Sequence, residues 1–131
     1  MTTTNGILAD WLVGLSLDRV PSAVTRSTVW RVLDIVGAML AGRDTALVGN
    51  LRKAYPTNPA GVPIVGFANR RTPEDAALLM ATMGCVLEFD DSHVSTGIHA
   101  STPVIATALA MSAQYRADGR RLIEAVLAGN E

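Results

Sequence analysis

The stretch VWRVLDIVGAMLAG, residues 29–42, decides the fold, because it carries the clearest helical periodicity in the chain. Its apolar residues recur at the spacing that places side chains on one face of an α-helix. Gly42 suits the position just after a helix C-terminus, where a left-handed backbone is common. The apolar stripe consists of Val29, Val32, Leu33, Val36 and Leu40. The sequence therefore predicts a long amphipathic helix that starts near Pro21 and ends at Gly42.

Helical patterns before and after this stretch predict an all-α fold, a bundle-like helical domain with one long loop that contains proline and glycine. Thr72 followed by Pro73 combines an N-cap residue with a proline at the first helical position, which is typical of a helix start. Thr102 followed by Pro103 repeats the signal. Asp44 is the expected cap of a shorter helix. Besides 21–42, the predicted helices cover residues 7–15, 44–55, 73–87, 102–115 and 118–129.

The segment 56–69 is predicted to be a loop around one short extended piece, residues 64–67. It contains three of the six prolines and two glycines of the chain. These residue types interrupt helices and favour turns. Because no partner strand is predicted nearby, we do not expect the extended piece to form a sheet.

Three notable side chains are predicted to pack rather than to act. Trp11 and Trp30 lie on apolar stripes, so we interpret both as anchors between helices. Cys85 lies on a helix that is predicted to be buried, and no basic neighbour in sequence would activate its thiol. A core position is therefore favoured for Cys85 over a nucleophilic role.

The size and composition of the chain favour one domain with apolar surface to spare. The chain has 131 residues, of which 49% are hydrophobic. This fraction is high for a small domain, so part of the apolar surface is expected to meet a partner. We predict one helical domain over residues 1–131, a fragment or a split subunit of a larger fold. Its expected partner is a second copy or a larger chain that carries the rest of the fold.

Charge and targeting signals exclude several classes of protein. The net charge is −1, and the 11 basic and 12 acidic residues form no basic stripe, so no nucleic-acid partner is predicted. No apolar run reaches the roughly 18 residues that suggest a membrane span. The start of the chain lacks the features of a signal peptide, so the cytoplasm is the expected location. The single cysteine can form neither an internal disulfide nor an iron–sulfur cluster.

The segment LEFDDSH, residues 87–93, gathers acid/base-capable side chains in one polar loop that also contains His99. An apolar run ends at Leu87 and another begins at Pro103, so the loop is expected to join two helices and face a cleft. Histidine is the side chain best suited to moving protons near neutral pH. His99 is therefore the main candidate for proton transfer, and the alternative is a loop histidine that hydrogen-bonds a helix end.

The same loop resembles the first catalytic loop of the MmgE/PrpD family of 2-methylcitrate dehydratases and cis-aconitate decarboxylases. In that family the loop reads L-D-F-D-D-T-H … H-P-G, and here residues 87–101 read LEFDDSHVSTGIHAS. The resemblance extends from the helix around residues 10–12, through 33–42, to the closing segment 125–131. It implies that the chain is similar to the N-terminal part of the family's helical domain.

The resemblance also implies an activity, the removal of water from a 2-methylcitrate-like carboxylic acid without cofactor or metal. A base would take a proton next to a carboxylate while an acid protonates the leaving hydroxyl. The implied catalytic residues are Glu88, Ser92 and His99, and the implied substrate-binding residues are Asp90, Asp91 and His93. The family's catalytic lysine would lie beyond residue 131, so this chain alone is expected to be incomplete.

Most of these candidates also have a structural interpretation. Asp90 and Asp91 are adjacent, so their side chains should diverge, with at most one facing a ligand and the other capping backbone amides. Glu88 replaces the family's aspartate and is either a shifted acid/base group or a surface residue. His93 fits an orienting or structural role as well as catalysis. A metal site made of Asp90, Asp91, His93 and His99 is chemically possible, but the spacing matches no standard site.

Departures from the family pattern bear on the substrate. Met80 stands where the family has asparagine, Cys85 where it has histidine, and Ala100-Ser101 where it has Pro-Gly. A pocket that loses hydrogen-bonding groups discriminates less well for polar substrates, so a substrate less polar than methylcitrate is expected. Binding a di- or tricarboxylate needs cationic groups, and the sequence offers none near the motif.

Two classes of function stay open at this point. The first is a lyase, or a decarboxylase or isomerase of the same family, since proton abstraction next to a carboxylate serves all three. The second is a non-catalytic or half-site subunit that completes a larger partner chain. In the second case the apolar stripes of the first, second and last helices would form a large hydrophobic interface.

Overall fold

In the computed structural model, which describes residues 3–131, the chain is mostly helical with one small sheet. The helices are α1 (Thr4–Gly14), α2 (Ser22–Gly42), α3 (Ala46–Ala54), α4 (Pro73–Cys85), α5 (Ser101–Tyr115) and α6 (Gly119–Asn130), with a 3₁₀ turn at Leu17–Arg19. Strands β1 (Val62–Ile64) and β2 (Phe67–Arg71) lie between α3 and α4. The predicted helices are confirmed, with ends shifted by a few residues. No helix in this range is both long and apolar enough to cross a membrane.

The sheet corrects the prediction of a purely α-helical fold. β1 pairs antiparallel with β2, and the predicted extended piece 64–67 spans the end of one strand, the turn and the start of the next. Gly66 in this turn has a φ of 75°, which glycine adopts at little cost. Pro63 in β1 is tolerated because the strand pairs on one side only. The strand was not predicted because prolines favour loops and turns over strands.

The core is centred on α4, which packs against α2 and α5. Its main apolar cluster includes Ile35, Met39, Met80, Met83 and Ile105. Gly84 permits a close approach between α4 and α5, because a Cβ at this position would lie only 2.7 Å from Thr102 Cγ2. The first turn of α5 is therefore seated directly on the end of α4.

The long helix α2 buries a different face from the predicted stripe. Val29, Leu33 and Leu40 of that stripe are exposed. The buried positions are Thr28, Ile35, Met39 and Gly42. Because the helix is apolar on more than one side, periodicity alone does not show which side meets α4.

Helix α1 has no buried residue in the described chain. Trp11 is exposed, and Trp30 is 63% exposed, so the prediction that both anchor helices of this chain together is wrong. We call the exposed apolar residues of the first two helices the α1–α2 apolar surface. They are Ile7, Leu8, Trp11, Leu12, Val13, Val24, Val29, Trp30, Leu33 and Leu40.

The predicted helix caps have mixed outcomes. Thr72 caps α4, since its hydroxyl accepts a 3.3 Å hydrogen bond from the Asp75 amide. Asp44 is not a cap, because it accepts a 3.1 Å bond from Arg43 Nε instead and α3 begins two residues later. Thr102 is not a cap either, because it lies inside the first turn of α5. Its hydroxyl is used in the candidate site.

Candidate active site

The loop between α4 and α5, residues 86–100, contains all six candidate residues and joins two helices, as predicted. It leaves α4 in a sharp turn, in which Glu88 has a φ of 56° and its amide donates to the Cys85 carbonyl at 2.9 Å. A left-handed backbone costs a residue other than glycine on the order of 1 kcal/mol. The Glu88 side chain is exposed.

The middle of the loop folds back on itself at His93. Its amide donates to the Ile98 carbonyl at 2.9 Å, and the Gly97 amide donates to the His93 carbonyl at 2.8 Å. The ring takes part in the same turn, since Nδ1 lies 2.9 Å from Thr96 Oγ1 and 3.1 Å from Ser95 Oγ. One nitrogen of His93 is therefore occupied by its own loop.

Asp90 turns inward, and its side chain is 0% exposed. Oδ2 accepts a 2.7 Å hydrogen bond from Thr102 Oγ1 in the first turn of α5. Oδ1 lies 3.3 Å from His99 Nδ1, within ion-pair distance. That contact lacks the angle of a good hydrogen bond, so Oδ1 is a buried acceptor without a well-aligned donor in residues 3–131. A carboxylate this deeply buried requires such partners.

Asp91 makes a second, parallel connection to α5. Its Oδ2 accepts a 2.6 Å hydrogen bond from Ser101 Oγ and lies 3.6 Å from Arg31 Nε. Ser101 Oγ is also 3.2 Å from Asn130 Oδ1. A hydroxyl has a single proton, and the shorter contact to the charged acceptor takes it. Asp91 thus ties the loop to α5 and to α2 together.

The two aspartates diverge as predicted, but neither caps a backbone amide in the described chain. Asp90 bonds to Thr102, and Asp91 bonds to Ser101, so two adjacent carboxylates meet two adjacent hydroxyls. The prediction of a backbone cap is therefore wrong. Both carboxylates lie at the N-terminus of α5, where the helix dipole favours negative charge.

Three of the six candidates lie together where the loop meets α5, and the other three lie apart from them. Asp90 and His99 are in contact, and Asp91 follows Asp90 in the same connection to α5. The other three, Glu88, Ser92 and His93, have exposed side chains. No ion pair or side-chain hydrogen bond within residues 3–131 links these three to the Asp90–His99 pair.

Arg31 is a site residue that the sequence did not reveal. Together with Trp30, Asp34 and Asp91 it lines a cleft of about 590 Å³ beside the loop. Its guanidinium supplies a cation next to the motif, where the sequence alone predicts none. Arg31 lies on α2, far from the loop in sequence, so only the packing of α2 beside the loop brings them together.

Cys85 is exposed at the end of α4, which corrects its predicted core position. Desolvation raises the pKa of its thiol, and the negative charge of Asp90 raises it further. A raised pKa reduces the thiolate fraction at neutral pH, so the thiol is poorly suited to nucleophilic attack. Met80 is also no part of the site, because it lies in the core.

The arrangement is suited to proton transfer at His99. The His99 side chain is 41% exposed, and its Nδ1 faces Asp90. Among residues 3–131, no side-chain hydrogen bond or ion pair involves Nε2 of His99. No group of three or more His, Cys, Asp and Glu side chains in residues 3–131 is arranged to hold a metal ion.

The fold and the site together define a helical domain that carries a histidine against a buried carboxylate, in the loop between two packed helices. The family model of the MmgE/PrpD N-terminal domain matches residues 6–131. The chain therefore belongs to the MmgE/PrpD family and corresponds to its N-terminal domain. Comparison with curated proteins and with solved structures gave no match.

Proposed function

We propose that this domain supplies part of the active site of a lyase that removes water from a 2-methylcitrate-like carboxylic acid. The observation that carries the proposal is the contact between His99 Nδ1 and the buried carboxylate of Asp90 at 3.3 Å. A histidine oriented by a carboxylate is a common arrangement for general acid/base catalysis. Family membership supports the same chemistry.

In the proposed reaction, a base removes the proton from the carbon next to a carboxylate, and the electron pair forms the carbon–carbon double bond. The hydroxyl on the neighbouring carbon leaves as water after it receives a proton from an acid. His99 is the proposed base, and Glu88 or Ser92 is the proposed acid. All three side chains are at least partly exposed, so a substrate has access to each of them. The reaction is cofactor-free in this proposal.

Substrate binding in this proposal uses Arg31 and Asp91, which line the cleft. His93, whose ring bonds to its own turn, is given no contact with the substrate. Arg31 offers a guanidinium for one carboxylate of the substrate. Asp34 and Asp91 line the same cleft, so its charge does not favour a di- or tricarboxylate on its own. Binding a di- or tricarboxylate in this cleft therefore requires further cationic side chains that the described residues do not supply.

The test uses the completed enzyme, by which we mean this domain together with the residues or partner chain that complete its active site. Turnover of the variant His99→Ala is assayed on 2-methylcitrate and on less polar hydroxy acids. The expected loss is about a hundredfold or more, with thermal unfolding almost unchanged. His93→Ala is the matched control, a histidine in the same loop whose ring bonds to its own turn. Equal losses in the two variants would contradict the assignment of His99.

The alternative proposal is a non-catalytic or half-site subunit that completes a larger chain. The α1–α2 apolar surface favours it, because soluble proteins rarely leave so many large apolar side chains uncovered without a partner. Trp30 is its most prominent residue, and tryptophan often anchors interfaces. A decarboxylase or isomerase would use the same proton abstraction and is the further alternative within the enzyme class.

A further inference from the structure

We infer that Asp90 is a positioning residue, which Thr102 holds in place, and that it fixes His99 with the Nδ1 proton inward and Nε2 outward. The sequence suggested that Asp90 binds substrate, and the inference assigns it a different role. It rests on the proposed function only for the claim that His99 moves a proton. The orientation of the ring stands on the geometry alone.

The burial of Asp90 carries the first step of the argument. Its side chain is 0% exposed, so a substrate above the loop has no access to the carboxylate. A buried carboxylate is stable only with donors around it. The hydroxyl of Thr102 supplies one such donor at 2.7 Å.

The second carboxylate oxygen carries the next step. Asp90 Oδ1 is buried and lacks a well-aligned donor among the described residues, and His99 Nδ1 at 3.3 Å is its ion-pair partner. This contact is close to the length of an N–H···O bond, and donation from Nδ1 would satisfy the buried oxygen. A carboxylate only accepts, so Nδ1 must carry the proton. In the neutral ring Nε2 is then the free base.

The rigid core determines where Thr102 holds Asp90. Thr102 is 1% exposed and packs on Gly84 of α4, where a Cβ would lie 2.7 Å from its Cγ2. The hydroxyl is thus fixed by the contact between two helices rather than by the loop. Groups placed by rigid elements are held more accurately than groups placed by loops alone. The contact between α4 and α5 therefore sets the orientation of His99, through Thr102 and then Asp90.

The test is heteronuclear NMR of the labelled ring nitrogens of the chain at a pH where the histidines are neutral. We expect the wild-type His99 signals to show a proton on Nδ1. Thr102→Val keeps the volume but removes the hydroxyl, and we expect it to shift His99 towards a mixture of tautomers. Thr102→Ser keeps the hydroxyl but loses the methyl group that packs on Gly84, and it should stay closer to the wild-type pattern than Thr102→Val does. Ser101→Ala, which removes the hydroxyl contacts to Asp91 and Asn130 but leaves the bond between Thr102 and Asp90 in place, is the matched control.

A wild-type ring with its proton on Nε2 would overturn the inference without any variant. A tautomer that is unchanged in Thr102→Val would overturn the part played by Thr102. In the completed enzyme, Thr102→Val should lower kcat by about tenfold to a hundredfold at nearly constant KM, as expected for a misplaced catalytic group. A substrate-binding role of Asp90 would raise KM instead. If the tautomer is as inferred but His99→Ala keeps its activity, the proposed function fails and the positioning role stands.

Discussion

Arg31 Nε lies 3.6 Å from Asp91 Oδ2, so the candidate loop is tied to a helix far from it in sequence. The same oxygen accepts the hydroxyl proton of Ser101 on α5. Asp91 therefore joins α2, the loop and α5. The orientation of the loop depends on two core helices as well as on its own turns.

The contact between Arg31 and Asp91 predicts a small effect on stability and a larger one on binding. Both side chains are more than one-third exposed, so Arg31→Ala should lower the free energy of unfolding by less than about 1 kcal/mol. It should raise the KM of the completed enzyme for carboxylic acids. Denaturant unfolding and steady-state kinetics measure the two effects. The control is Arg43→Ala, which breaks an exposed pair outside the loop, and equal KM values for the two variants would contradict the prediction.

Gly84→Ala should loosen the contact between α4 and α5. The added Cβ would lie 2.7 Å from Thr102 Cγ2, and overpacking of this kind costs about 1–3 kcal/mol. Gly37→Ala is the matched control on α2, because its Cβ meets nothing within 4 Å. It should stabilise the chain by about 0.5–1 kcal/mol through helix propensity. Chemical denaturation checks both, and equal stability of the two variants would contradict the assigned close approach.

The thiol of Cys85 should be alkylated more slowly than free cysteine, although its side chain is exposed. Desolvation and the charge of Asp90 raise its pKa, so at any pH below that pKa the thiolate fraction is smaller. The rate profile should therefore shift to higher pH. Iodoacetamide labelling followed by mass spectrometry measures the rate, and the chain unfolded in denaturant is the control. A folded chain that reacts faster than the unfolded one would show that the environment of the thiol is misassigned.

The α1–α2 apolar surface should make the chain associate with a second copy or a larger chain. Native mass spectrometry of untagged protein from its source distinguishes the two partners. Leu33→Lys places a charge on this surface and should weaken the association. Leu47→Lys, at an exposed apolar position on α3, should not. A monomer at micromolar concentration with no co-purifying chain would contradict the prediction.

Local signals predicted the helices well, because a cap such as Thr72 and the Asp75 amide that donates to it lie within one turn of each other. Thr102 has the same Thr-Pro sequence but a different role, since its hydroxyl finds a carboxylate in the preceding loop. The face of α2 was misassigned because the helix is apolar on several sides. The hairpin was missed because Pro63 lies in its first strand.

The position of the candidate loop could be predicted from the sequence, but not which of its side chains contact the core and which bond only within the loop. Sequence placed His93 and His99 in the same loop, yet one bonds to its own turn and the other meets a buried carboxylate. Arg31 was missed because its proximity to Asp91 depends on the tertiary packing of α2. The spacing of residues in a motif gives no information about the distance between two helices.

The central claim is that His99 abstracts the proton next to the substrate carboxylate. The most direct measurement is deuterium exchange at that carbon in heavy water, with the completed enzyme and the variants His99→Gln and His93→Gln. The account predicts that the wild type and His93→Gln introduce deuterium into recovered substrate, and that His99→Gln does so about a hundredfold more slowly or not at all. Unchanged exchange in His99→Gln would contradict it.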